Sequence, residues 1–92
     1  MSNALDRSLE LHPSVALRPE PFGALAYHYG NRRLIFLKQA EVLAVVRALG
    51  DQPSVRAALE ACSVSPTRWP VFVDALKSLE DAEVVRERAV AG

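Results

Sequence analysis

The chain has one cysteine, no surplus of either charge and no long apolar run, and each scarcity closes off a class of function. Cys62 is the single cysteine among 92 residues, so no internal disulfide can form, in keeping with a reducing compartment. It follows Val55, Ala58 and Leu59 at helical spacing, which marks a packed structural thiol rather than a nucleophile. Eleven basic residues balance eleven acidic ones, a poor composition for gripping phosphates. No apolar run approaches the roughly 20 residues that span a bilayer. No basic-then-apolar leader opens the chain either. Neither nucleic acid nor membrane is therefore expected as a partner, and the expected compartment is the cytoplasm. Histidine is equally scarce. His12, His28 and one cysteine at unrelated spacings make no metal site. There is no phosphate-cradling loop, no dinucleotide glycine fingerprint and no paired-carboxylate signature. The expectation is a protein without cofactor or catalytic set, and not an enzyme.

What is present is apolar pattern. Half the residues are hydrophobic, enough for a folded domain. Residues 1–12 read as a flexible lead-in from which Leu9 and Leu11 could dock, 13–88 as one domain and 89–92 as a tail. Val15 to Arg18 forms a short strand bracketed by Pro13, Pro19 and Pro21, which cannot donate to a ladder, so this strand is poorly suited to recruiting another. Leu25, Tyr27 and Tyr29 then alternate with Ala26 and His28, Gly30-Asn31 intervenes, and Arg32 to Leu37 runs on. That interruption signals a hairpin, because glycine takes the positive φ that tight turns need. With Gly30-Asn31 as the turn, Tyr29 faces Arg32, Tyr27 faces Leu34 and Leu25 faces Phe36 on one side of the sheet. His28/Arg33, Ala26/Ile35 and Ala24/Leu37 share the other. The third strand has no proline and is apolar on both faces. Left without a neighbour, it offers free N–H and C=O groups to an incoming peptide.

From Gln39 the period becomes helical. Val42, Leu43, Val46 and Leu49 line one face of a helix stopped at Gly50. Ser54 is the expected N-cap of a second helix. A third carries Trp69, Phe72, Val73, Leu76 and Leu79. Its regular part is expected to begin at Pro70, because proline disfavours α geometry in the residue before it. It should end near Asp81, ahead of an extended Ala82–Val85 segment.

The fold class that follows is α+β, with a three-stranded antiparallel sheet followed by three helices in winged helix-turn-helix order. A DNA-reading third helix needs several Arg, Lys, Asn or Gln on its outer face. This one has Arg68 and Lys77 beside Asp74, Glu80 and Asp81. A winged-helix DNA-binding regulator is thus the alternative reading, and a homodimer that pairs through the open edge is a third.

The segment VALRPEPFGALAYHYGNRRLIFLK resembles the signature region of the mycofactocin system chaperones, with RPEPFGAL and RRLxFLK as its specific parts. The likeness covers roughly residues 12 to 82. The order of elements is also similar to the chaperone of pyrroloquinoline quinone biosynthesis. Both are recognition elements for ribosomally made, post-translationally modified peptides. The resemblance implies a non-catalytic chaperone. It binds the leader of a precursor peptide as a further strand on the third strand, beside the third helix. It then hands that peptide to a radical S-adenosylmethionine maturase. Carried over by position, the peptide-binding residues are Arg33, Leu34, Ile35, Phe36, Leu37 and Lys38, with Phe72, Val73, Leu76 and Lys77 from the helix. Leu76 is expected in the core, and at least one of Phe72 and Val73 in the cleft. Arg33, Lys38, Arg68 and Lys77 are expected to steer an acidic leader. Ile35→Pro should then weaken binding far more than it unfolds the chain, provided the Ile35 N–H points to the open edge.

Overall fold

The alternation in the middle of the chain builds a meander. In the computed structural model, which describes residues 4–88, strand β2 (Val15–Glu20) pairs antiparallel with β3 (Gly23–His28). In turn β3 pairs antiparallel with β4 (Leu34–Leu37). The register is the expected one, Tyr27 opposite Leu34, Leu25 opposite Phe36, Ala26 opposite Ile35 and Ala24 opposite Leu37. The turn is not. His28 N–H donates to Arg33 O at 3.0 Å and Arg32 N–H donates to His28 O at 2.8 Å, so the loop has four residues, Tyr29 to Arg32. Widening a loop by one residue on each side leaves the register unchanged. Arg32, at φ +61, takes the left-handed conformation expected of glycine. Gly30 is required for a different reason: a Cβ there would sit 2.8 Å from His28 Cε1.

His28 organises this loop from below. Its ring is buried, and Nδ1 accepts the N–H groups of Gly30 at 3.0 Å and Asn31 at 3.2 Å. The ring proton therefore sits on Nε2. His28→Ala should cost about 1–3 kcal/mol, because two turn donors lose their acceptor. His28→Asn should recover part of it, since an Asx carbonyl reaches N–H groups two residues on. Thermal melts of the two variants check this, and equal destabilisation would mean that only the ring's packing matters.

The helices follow the sequence with local corrections. Helix α1 (Ala40–Ala48) buries Val42, Val45 and Val46. It does not stop at a left-handed Gly50 but tightens into a 3-10 turn, Leu49–Asp51. Helix α2 (Val55–Ala61) is capped by Ser54, whose Oγ accepts Ala57 N–H at 3.1 Å. Helix α3 (Trp69–Asp81) follows a 3-10 turn at Pro66–Arg68. Trp69 is α-helical at φ −55, ψ −41 although Pro70 follows it. Its indole N–H donates to Val64 O at 2.9 Å and fixes that entry.

The largest departure is at the ends. Leu9 to Leu11, assigned from sequence to the lead-in, form strand β1, antiparallel to β5 (Val85–Glu87). Leu9 is buried and belongs to the core. The partner that orders β1 lies at the far end of the chain, where no local pattern announces it. The core joins Leu9, Ala24, Ala26, Val45, Val46, Leu59, Phe72, Leu76 and Val84, packed between the inner face of the meander, the ribbon and the three helices. Residues 89–92, read as a tail, lie outside the described residues.

Candidate functional site: the free edge of β4

Hydrogen-bond parity decides what β4 offers. The Tyr29 N–H donates to Ser14 O, towards β2, while the His28 N–H donates towards β4. Alternation along β3 then makes Ala26/Ile35 and Ala24/Leu37 the bonded pairs. Ile35 and Leu37 thus bond inward, and the N–H and C=O groups of Leu34 and Phe36 face the edge. The condition attached to Ile35→Pro fails, because the Ile35 N–H points into the sheet. Among the described residues β4 has no neighbour beyond this edge. Side chains divide by the same alternation. Leu37 is buried and Ile35 half-buried on the inner face, while Leu34 and Phe36 are 49% and 55% exposed.

A groove of about 310 Å³ runs beside the end of this strand. Phe36, Leu37, Lys38, Gln39 and Val42 line one side, and Ala75, Ser78 and Leu79 of α3 line the other. The helix residues named from sequence fall elsewhere. Phe72 and Leu76 are 2% and 3% exposed and belong to the core. Val73 and Lys77 line a separate groove of about 280 Å³ with Arg7, Leu9, Val55 and Glu80. Helical geometry explains the division: positions 72, 76 and 79 point inward, so 75 and 78 fall on one flank and 73 and 77 on the other. Ala75 and Ser78 were missed because small residues give no hydrophobic signal. Only their spacing beside the core stripe marks them.

Charge is also redistributed. Arg68 is engaged by Glu41 through two bonds of 2.7 and 3.0 Å and stacks over the Phe72 ring at 5.3 Å. The guanidinium's hydrogen bonds hold the Glu41 carboxyl below its ordinary range and raise Arg68 in turn. In the second groove Arg7 grips Glu80 at 2.8 and 2.6 Å and reaches Glu87 at 3.0 Å. Those bonds push Arg7 up and hold Glu80 below its ordinary 4.5. A depressed carboxyl stabilises the fold above that ordinary value, and its contribution is lost as pH falls through the folded one. Arg33 and Lys38 are exposed and in no ion pair among the described residues, so two free cations flank β4.

An apolar strand with one open edge, a groove beside it and flanking cations define a small α+β binding domain. Residues 8–86 match the peptide chaperone MftB family, and the chain belongs to that family. It is 48% identical over 80 residues to the peptide chaperone MftB of Mycobacterium ulcerans (strain Agy99), covering 87% of this chain and 73% of the relative. It is 45% identical over 83 residues to the peptide chaperone MftB of Mycobacterium tuberculosis (strain ATCC 25618 / H37Rv), covering 90% and 76%. No solved structure matches the chain. The protein is thus a peptide chaperone and not an enzyme. Among the described residues no helix is long and apolar enough to cross a membrane.

Proposed function

We propose that this chaperone binds the leader of the mycofactocin precursor peptide as a fourth strand against β4 and presents it to a radical S-adenosylmethionine maturase. The observation that carries this reading is the outward-facing backbone of Leu34 and Phe36 beside the groove of Leu37, Ala75, Ser78 and Leu79. Ladder bonds give affinity with little demand on sequence, while alternate side chains entering an apolar groove give specificity. The strand-then-helix order is read as a winged helix put to peptide binding, and the single cysteine accords with work in the cytoplasm. Phe36, Leu37 and Lys38 remain in the proposed site with Arg33, Leu34 and Ile35. Ala75, Ser78 and Leu79 take the places of Phe72, Val73, Leu76 and Lys77.

Titration calorimetry with the leader peptide, and separately with duplex DNA, tests the reading. The peptide should bind and the DNA should not; heat only with DNA would reverse the assignment. Steering provides a second test. Arg33→Glu and Lys38→Glu should slow association more than they speed dissociation, because steering acts on encounter and is screened over about 8–10 Å. In stopped-flow measurements across a salt series, the wild-type on-rate should fall towards that of the variants. A salt-independent on-rate would leave the apolar groove to explain recognition alone.

A further inference from the structure

The outer face of the meander carries an aromatic surface that extends well beyond the β4 edge. Tyr27 and Tyr29 pack edge to face at 5.2 Å, and Phe22 packs against Phe36 at 5.7 Å. Tyr29 is 62% exposed and Phe22 44%. Leu25 lies between these two ring pairs, opposite Arg18 on β2 and Phe36 on β4. Contiguous exposed aromatics on a small monomer mark an interface, because their burial contributes much at little cost in side-chain freedom.

The charges around this face select its occupant. Arg32 and Lys38 lie at its two ends without ion-pair partners among the described residues. Arg18 holds Glu20 at 3.2 Å, and Glu83 accepts from Asn31 at 2.7 Å, so the carboxylates at the rim are engaged. A second copy packed face to face would bring the same cations together. The face therefore fits a partner of opposite rim. We infer that the outer face of β2, β3 and β4, centred on Tyr27 and Tyr29, docks a second protein whose surface is apolar at the centre and carboxylate-rich at the edge. This rests on the presentation reading above, since the protein that receives the peptide needs a surface the peptide leaves open. The added strand occupies the edge and the groove and meets the face only at Leu34 and Phe36, so Phe22, Tyr27 and Tyr29 stay accessible beside it.

The test uses the full chain, the leader peptide and the purified maturase as probe. Tyr29→Glu and Tyr27→Ser place polar groups on the face at positions outside β4 and outside the groove lining. Both should bind the leader within about twofold of wild type and lose about tenfold or more in affinity for the maturase, as for central aromatic anchors. Arg32→Glu should lose less and should weaken the salt dependence of maturase binding. Wild-type affinity for the maturase in both tyrosine variants would overturn the docking face. So would loss of leader and maturase binding together, since the two surfaces would then not be separate. Sedimentation showing a wild-type dimer that the same variants dissociate would assign the face to a second copy instead. A wild-type chain that does not bind the maturase at all would sink the presentation reading itself, an outcome distinct from the others.

Discussion

Replacing Leu34 by proline is expected to weaken leader binding by about 100-fold or more while the chain stays folded. The Leu34 N–H faces the open edge, so no ladder bond within the protein is lost. The added strand loses a donor and meets the pyrrolidine ring where its backbone must approach. About 100-fold corresponds to about 2.7 kcal/mol. Ile35→Pro should do the reverse. It removes a donor to β3 and costs about 3 kcal/mol or more of stability, a large share of what a small domain has. Calorimetric titration beside thermal melts separates the two effects. A folded Leu34→Pro variant with wild-type affinity would end the strand-addition reading. A folded Ile35→Pro variant beside an unfolded Leu34→Pro would mean that the ladder's parity is reversed.

Phe72→Ala should lower stability by about 3–5 kcal/mol, the usual cost of emptying a buried aromatic site. The ring is 2% exposed and lies under the Arg68 guanidinium, itself held by Glu41. Truncation therefore leaves a cavity and removes a cation–π contact together. At about 4–8 °C per kcal/mol for a chain this size, the melting temperature should fall well beyond measurement error. Leader affinity per folded molecule should change little, since Ala75, Ser78 and Leu79 face β4 and Phe72 does not. Chemical denaturation read against binding isotherms checks both halves. A stable Phe72→Ala variant with lost affinity would restore the ring to the cleft.

Much of the fold is legible in the sequence because period and register are local. The alternation from Leu25 to Leu37 fixes which residues oppose one another, and that held even though the turn proved longer than expected. The Ser54 cap and the apolar stripe of α3 are likewise properties of neighbouring residues. Three features escaped. Which β4 amides face outward depends on where the first inter-strand bond falls, and that is set by the His28–Arg33 bond rather than by side-chain pattern. Which flank of α3 lies beside β4 depends on how the helix packs, and Phe72, Val73 and Leu76 look alike until it does. The β1–β5 ribbon joins opposite ends of the chain, so neither strand advertises its partner.

That ribbon also sets the kinetics. Pairing Leu9 with Glu87 closes nearly the whole chain into a loop, and loop-closure entropy opposes such contacts until the rest is in place. Arg88 completes the closure by donating to the carbonyls of Leu49 and Gln52. The ribbon is therefore expected to be unformed in the folding transition state, while the meander, built from neighbouring segments, is already paired. Substitutions at Leu9 or Arg88 should speed unfolding and leave the folding rate nearly unchanged. The end of the molecule that frays first is then not the end that carries the β4 edge. The chaperone would keep the β4 edge intact through the partial openings that precede global unfolding.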